Sequence, residues 1–231
     1  LEWLREAQAR GEISFAKGAK NFGYFGFRPI LRQGSYRNDL WRVNMDMVYN
    51  TDATDAKQLT EAWIYARKRV FEIANFIRKS IPGCENAFVV YTCPMIGIRD
   101  SRNIIGDYVL TEEDFKSGRR FPDVIGRSGR AMNVHPPWGV PEDKDKQWEP
   151  PFWTETEKPF DIPYRALLPK GLENILVAGR CISAKGLIQG SIRGQPQCIV
   201  TGQAAGTAAA IAVRDGVTPR NVDIKKLQTI L

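Results

Sequence analysis

The stretch "GSIRGQPQCIVTGQAAGTAAAIAVRDG", Gly190–Gly216, decides the fold of this chain. Pro196 suits the first turn of a helix, because the N–H that proline lacks would have no partner there. Gly216 suits the position just past a helix end. We therefore predict a helix over residues 196–214. Its side chains are nearly all small, so another backbone can approach closely, and we expect it to lie at the centre of the fold.

The segment in front of this helix is predicted to be a loop that binds a ligand. Gly190, Ser191 and Gly194 leave the main chain open to approach. The helix N-terminus presents free N–H groups and the positive end of the helix dipole. A buried strand over residues 173–178, a glycine loop and a helix N-terminus together suit an anion or an electron-rich carbonyl. The alternative is a tightly packed helix behind a glycine turn, with no ligand.

Composition and charge exclude several classes of function. The 231 residues include 33 lysines and arginines against 26 aspartates and glutamates, for a net charge of +7. The basic residues are scattered, which favours sites for anionic ligands over nucleic acid. No apolar run could cross a bilayer, so no membrane partner is expected. With one histidine and no CxxC pair, no metal site is predicted, and the cysteines should be free thiols in the cytoplasm.

Other parts of the chain predict further elements. Asp55 and Gln58 form a capping box at the start of a helix that "SIPG" ends. Buried strands are predicted over Asn86–Thr92 and Ile104–Leu110, and Thr111 should cap a small helix. In the helix that begins at Asp55, apolar residues recur at spacings of three and four and should face the core. They are Leu59, Trp63, Ala66, Val70, Ile73 and Ile77.

Two long blocks carry a family resemblance. "FDIPYRALLPKGLENILVAGRCISA" (160–184) and the following "GSIRGQPQCIVTGQAAGTAAAIAV" (190–213) resemble the C-terminal part of bacterial FAD-dependent oxidoreductases of the glutathione-reductase-like superfamily. "IGIRDSRNIIGDYVLTEEDFKSGRRFPDVIG" (96–126) resembles the family's middle region, and the likeness extends over residues 41–231. Such enzymes begin with a GxGxxG turn that holds the ADP half of FAD. This sequence contains no GxGxxG.

The resemblance implies an α/β fold in two parts. Residues 1–159 would form a mixed α+β substrate domain. Residues 160–231 would form the C-terminal part of a Rossmann-like FAD-binding domain. The implied activity is hydride transfer between a small-molecule substrate and N5 of FAD. We expect the chain to be part of a longer or processed protein, with an N-terminal FAD-binding half upstream or on a separate chain, and to form an oligomer. The alternative is a non-catalytic partner subunit or a decayed fragment.

The resemblance also implies the residues that would contact FAD. Gly179 and Arg180 would lie near the ribityl chain and the pyrophosphate, although Arg180 could equally form a solvent-exposed salt bridge. Backbone amides of Gln195, Gln197 and Cys198 would face N1 and the C2 carbonyl. Cys198 could also be a redox thiol, but packing or a flavin contact fits the lack of CxxC. The segment that would approach the flavin ring consists of Gly190, Ser191, Ile192, Arg193, Gly194, Gln195, Gln197 and Cys198.

The implied catalytic residues lie in the middle region. Arg99 and Arg102 would bind a carboxylate or phosphate of the substrate, since guanidinium groups bind such anions with two parallel hydrogen bonds. Ion pairs with Asp100 and Asp107 are the alternative. His135, the only histidine, would take a hydroxyl proton as hydride leaves, unless its role is structural. Trp138 and Tyr164 would wall the pocket or simply pack.

Overall fold

The computed structural model of the protein describes residues 10–11, 28–29, 40–43, 48, 50–134, 153–154 and 158–231. Their contacts divide the chain into two units. Unit one comprises residues 1–97 and 136–148, and unit two comprises residues 98–135 and 149–231. Helices and short strands occur together, so the α/β class that we predicted is confirmed.

Among its described residues, unit one has a short strand pair and one long helix. Strand β1 (Arg28–Pro29) pairs antiparallel with β2 (Trp41–Arg42), and helix α1 runs over Ala56–Ser80. The predicted cap is confirmed for Asp55, whose carboxylate accepts from the N–H groups of Lys57 at 2.8 Å and Gln58 at 3.1 Å. The reciprocal half of the capping box is not found, because Gln58 Oε1 accepts from the Asp52 N–H and the Asp55 N–H donates to the Asp52 carbonyl. The predicted apolar stripe is also confirmed. Its last two residues, Ile73 and Ile77, are buried, and the other four are half-buried.

The described residues of unit two form two antiparallel strand pairs, β3 with β6 and β4 with β5, and four helices. Single 3-10 turns lie at Tyr164–Leu167, Gly179–Cys181, Gly186–Ile188 and Pro219–Asn221. The strands are β3 (Val124–Ser128), β4 (Met132–Asn133), β5 (Trp153–Thr154) and β6 (Phe160–Pro163). The helices are α2 (Glu112–Ser117), α3 (Gln189–Ile192), α4 (Gln195–Asp215) and α5 (Ile224–Ile230).

The core of unit two lies around β6 and one face of α4. Every residue of β6 is buried, and Phe160 packs against Phe115 of α2 with ring centroids 5.8 Å apart. Helix α4 buries Ala204, Ala208 and Ile211 against this core. The helix predicted over residues 196–214 is confirmed within one residue at each end, and Gly216 closes it with a φ of 65°. Thr111 caps α2 as predicted, and it does so in a capping box with Asp114.

Three predicted strands are absent. Residues 86–92 and 173–178 are extended or turned but join no strand ladder among the described residues, and residues 104–110 make only isolated bridges. Phe88, predicted to be buried, is 76% exposed. The reason is physical, since a strand exists only where another strand accepts and donates its hydrogen bonds. Within residues 173–178, the Val177 N–H donates a hydrogen bond to the Leu167 carbonyl at 2.9 Å.

Candidate functional site

The N-terminus of α4 presents free backbone donors. Gly194 precedes the helix with extended φ and ψ of −64° and 152°. Cys198 N–H donates to the Gly194 carbonyl at 2.9 Å, so this predicted donor is used inside the helix. Pro196 has no N–H. For Gln195 and Gln197, no described carbonyl accepts the backbone N–H, so two of the three predicted amides remain available to a ligand.

The segment before α4 is helical rather than a loop. Gly190, Ser191 and Ile192 lie in α3, and all three are buried. A Cβ on Gly190 would lie 2.6 Å from the backbone nitrogen of Asn133. Glycine at 190 therefore permits the close approach of α3 to β4, and protein fills the space that we expected a ligand to use.

Ser191 and Ile192 have structural contacts of their own. Ser191 Oγ donates to the Arg130 carbonyl at 2.5 Å and lies 3.1 Å from Ser128 Oγ. Ile192 is 1% exposed and belongs to the core. The contact of Ser191 and Ile192 with a cofactor stays a prediction. In the structure, these side chains hold α3 to the segment after β3.

Gly194 lies against two polar side chains. A Cβ at this position would collide with Gln197 Oε1 and would lie 3.2 Å from Arg130 Nη1. Gln197 Nε2 donates to Ser128 Oγ at 3.2 Å. Gln197 Oε1 is buried and has no hydrogen-bond partner in the described part of the chain. A buried acceptor without a partner costs stability, so its presence beside the free amides points to a ligand that donates to it.

The loop that carries Arg99 lies against the 3-10 turn at Gly179–Cys181. Asn103 Nδ2 donates to the carbonyls of Arg180 and Ile182, both at 3.1 Å. The Arg180 guanidinium donates back to the Ile98 carbonyl. Gly179 has a φ of 84°, and its N–H donates to Thr201 Oγ1 of α4 at 3.0 Å. The structure thus brings predicted substrate and cofactor residues together, although they are about 80 positions apart.

Four arginines form a cationic group near α4, which we call the arginine cluster: Arg99, Arg130, Arg180 and Arg193. Burial, followed by the positive charge of Arg99, lowers the pKa of Arg193 to about 10, and Arg130 and Arg180 act in the same direction. Burial and then Arg130 also lower the pKa of Arg99. Each lowering reflects the cost of charged groups that are close together and partly removed from water.

No carboxylate described in the structure forms an ion pair with any member of the cluster. Asp100 is near enough to oppose the lowering of the Arg193 pKa, but it makes no ion pair. Asp107 pairs with Arg220 instead, so the alternative in which Asp100 and Asp107 neutralise Arg99 and Arg102 is not found. Arg102 is exposed and has no hydrogen bond or ion pair to a described residue.

A family match decides the identity of the chain. The family model described as "FAD dependent oxidoreductase" matches residues 5–231. This chain belongs to that family. No curated protein and no solved structure matches it.

As a member of this family the chain is an FAD-dependent oxidoreductase, and its residues fit the ring of FAD. The pyrimidine edge of the ring offers electron-rich acceptors at N1 and the C2 carbonyl and a donor at N3. The free amides of Gln195 and Gln197 can serve the acceptors, and the unpartnered Gln197 Oε1 can serve the donor. The positive end of the α4 dipole favours negative charge at the same place.

Of the other predicted site residues, some pack within the protein and others lie outside the described residues. Burial raises the pKa of the Cys198 thiol, which is unfavourable for a redox thiolate, and Sγ lies 3.7 Å from the Arg193 carbonyl. Tyr164 packs in the core, and its hydroxyl donates to the Pro219 carbonyl at 2.8 Å. His135 and Trp138 lie outside the described residues, so the predicted base stays a prediction.

The sequence did not single out Arg130. It lies 31 positions after Arg99, in the loop between β3 and β4, and no motif includes both arginines. The usable signal was the lone glycine at 194, which marks a place where other side chains approach the backbone closely. It could not identify which side chains these are.

Proposed function

We propose that this chain supplies the substrate and flavin-ring half of its enzyme, which transfers a hydride between a small molecule and FAD. The observation that carries the proposal is the N-terminus of α4. There, two free backbone amides and the unpartnered Gln197 Oε1 lie beside Arg130. Donors, an acceptor and a cation in one place match the polar edge of a flavin next to an anionic substrate.

Each residue then has a defined task. Bound FAD supplies the two-electron chemistry by exchanging a hydride with substrate at N5. Gln195 and Gln197 would donate their N–H groups to the N1 and C2 carbonyl edge of FAD and would favour negative charge there. Arg99 and Arg102 bind an oxyanion of the substrate, and His135 takes a proton from its hydroxyl. Gly179 and Arg180 would contact the ribityl chain and the pyrophosphate of FAD.

We also propose a partner for α4, namely a nucleotide-binding half from upstream in the same gene or from a separate chain. Between Ile199 and Val213, the exposed face of α4 carries no charge and only one polar side chain. A helix that is apolar on all sides is normally buried, and small residues permit a second backbone to pack closely. The exposed residues of this face are Ile199, Gly202, Gln203, Gly206, Ala209, Ala210 and Val213.

The extended segment before the 3-10 turn supports the same partner. Ile175 is 44% exposed, and residues 175–178 join no ladder among the described residues. An extended, apolar segment with open hydrogen-bonding groups is ready to join a sheet. All four cysteines are free, which supports the reducing, cytoplasmic location that we propose.

The test is to remove one backbone donor without changing the fold. Gln195→Pro deletes the N–H at the first helical position, where proline is well tolerated, and Gly194 already has φ and ψ that suit a residue before proline. We expect the variant, purified natively with its accompanying chains, to bind FAD and to show a lower flavin reduction potential. A hydrogen bond to a charged group contributes about 1.5–3 kcal/mol.

Gln195→Ala is the matched control, because it removes the same side chain and keeps the N–H. Its flavin potential and absorption spectrum should equal those of the natural protein. Equal potentials in the proline and alanine variants would show that the Gln195 amide does not face the flavin. A natural protein that stays colourless when FAD is added, with its partner chains present, would refute the proposed function itself.

A further inference from the structure

The charge balance of the arginine cluster bears on the substrate. Arg99, Arg130, Arg180 and Arg193 bring four positive charges together, and among the described residues Asp100 is the one acidic group whose charge acts on Arg193. Six other described arginines in the second unit pair with Asp or Glu within 4 Å: Arg119, Arg120, Arg127, Arg165, Arg214 and Arg220. Exposed Arg102 has no such partner among the described residues. The cluster differs from the six paired arginines, because no described carboxylate forms an ion pair with any of its members.

Two members of the cluster are held in place by neutral acceptors rather than by carboxylates. Arg193 Nη2 donates to the Asn133 carbonyl at 2.6 Å, and the Arg180 guanidinium donates to the Ile98 carbonyl. Arg130 Nη1 lies 3.2 Å from the position that a Cβ on Gly194 would occupy. Backbone carbonyls orient the guanidinium groups but leave their charge uncompensated. This arrangement suits an anion that arrives from solution.

We propose that the arginine cluster binds a substrate that carries at least two negative charges on oxyanion groups. Among the described residues, four cations with one nearby carboxylate leave three positive charges, so a singly charged ligand would not balance them. A planar guanidinium binds a carboxylate or a phosphate with two parallel hydrogen bonds, and four such groups can hold two oxyanions. The location beside the flavin ring rests on the proposed function, whereas the charge requirement rests on the cluster alone.

The diphosphate of FAD also carries negatively charged oxyanion groups that the cluster could bind. The geometry favours the substrate, because Arg130 lies at Gly194, next to the free amides that suit the flavin ring rather than its diphosphate. Arg193 directly precedes Gly194 and is half-buried. The experiment separates the two sources by measuring binding with FAD present and with FAD removed.

The experiment uses the natively purified protein with its accompanying chains, loaded with FAD, at constant ionic strength. Calorimetric titrations compare malonate, succinate and glutarate with the monoamides of the same diacids, which have the same shape and one charge less. We expect at least one diacid to bind about tenfold more tightly than its monoamide, because one guanidinium pair is lost. If no diacid binds better than its monoamide, the proposal is wrong.

Variants then assign the effect to the cluster. Arg130→Gln removes an exposed guanidinium that makes no side-chain hydrogen bond to a described residue, so the fold should persist. It should reduce the preference for the diacid, because one guanidinium of the cluster is lost. Arg214→Gln is the control. It lies near the other end of α4, about 30 Å away at 1.5 Å per residue, and it should leave the preference unchanged. Equal effects from the two variants would overturn the proposal.

The outcomes also distinguish this inference from the proposed function. Competition between the diacid and FAD, with no diacid bound to the loaded protein, would assign the cluster to the cofactor diphosphate and refute the substrate assignment. A diacid preference that depends on Arg130 in a protein that never binds FAD would support the anion site and refute the flavin function. Flavin binding without any diacid preference would support the flavin function and refute the anion site.

Discussion

Gly190 is a residue whose role follows from contact rather than from conformational freedom. Its α-carbon faces the backbone of β4, and an added methyl group would lie 2.6 Å from Asn133 N and 2.7 Å from Asn133 O. Both neighbours are main-chain atoms, so neither can rotate away. The glycine therefore maintains the contact of α3 with β4, and this contact positions the Asn133 carbonyl for Arg193.

Gly190→Ala should destabilise the protein by about 1–3 kcal/mol, because overpacking a filled site forces the backbone to shift. The control is Gly202→Ala in the outward face of α4, where nothing lies within 4 Å of an added Cβ. That change should stabilise the helix by up to about 1 kcal/mol. Urea unfolding followed by circular dichroism measures both. A neutral Gly190→Ala would mean that α3 and β4 are not in contact.

Arginines in unit two differ in what their partners do to the charge. Arg165 donates to both carboxylate oxygens of Asp123, at 2.9 and 3.1 Å, and these hydrogen bonds raise its pKa. Arg193 donates to a carbonyl, and burial and neighbouring arginines lower its pKa. The first arrangement stabilises the fold. The second costs stability until an anion binds, which is common in binding sites and unusual in purely structural ones.

At the level of elements, the sequence predicted helices well and strands poorly. Helices α1, α2 and α4 were predicted from caps, glycine and proline, because a helix forms its hydrogen bonds within about four residues. The strands predicted over 86–92, 104–110 and 173–178 are absent, because their pairing depends on distant residues that no local pattern identifies. The candidate site divides in the same way. The free amides of Gln195 and Gln197 follow from the helix start, whereas Arg130 depends on tertiary contact.

The two faces of α4 make a prediction about its partner. Ala204, Ala208 and Ala212 are buried in unit two, while Gly202, Gly206 and Ala209 are exposed, so small residues cover both sides. Gly206→Lys should fit the chain alone, since nothing lies within 4 Å of its Cβ. It should place a charge in the surface that the proposed nucleotide-binding half covers. We expect an unchanged circular dichroism spectrum, a smaller mass by light scattering and loss of bound flavin.

Thr229→Lys in α5 is the control for Gly206→Lys, because it adds the same charge at an exposed position of a polar helix. Its mass and flavin content should match those of the natural protein. If Gly206→Lys also keeps its mass and its flavin, then no partner packs on this face of α4.

At the scale of unit two, a buried carboxylate ties distant segments together. Asp161 of β6 is 1% exposed, and its oxygens accept from Arg120 at 2.8 Å, Arg127 at 2.9 Å and the Phe121 N–H at 3.1 Å. Burial would raise the pKa of Asp161, but these hydrogen bonds outweigh burial and hold the pKa below its ordinary value. The folded unit therefore favours the charged carboxylate more than the unfolded chain does.

This difference determines how the free energy of unfolding changes as the pH falls. The contribution of Asp161 is fully present above the unfolded pKa, about 4 for aspartate, and is lost as the pH falls through the lower folded pKa. Asp161→Asn should thus reduce the free energy of unfolding at pH 7 by about 2 kcal/mol, the scale of charge-assisted hydrogen bonds. It should also flatten the fall in stability below about pH 4. Urea midpoints measured from pH 3 to pH 7 test this against Glu113→Gln, which removes an exposed carboxylate of α2. If the two variants have parallel pH profiles, Asp161 is not the group that links unfolding of this unit to acid.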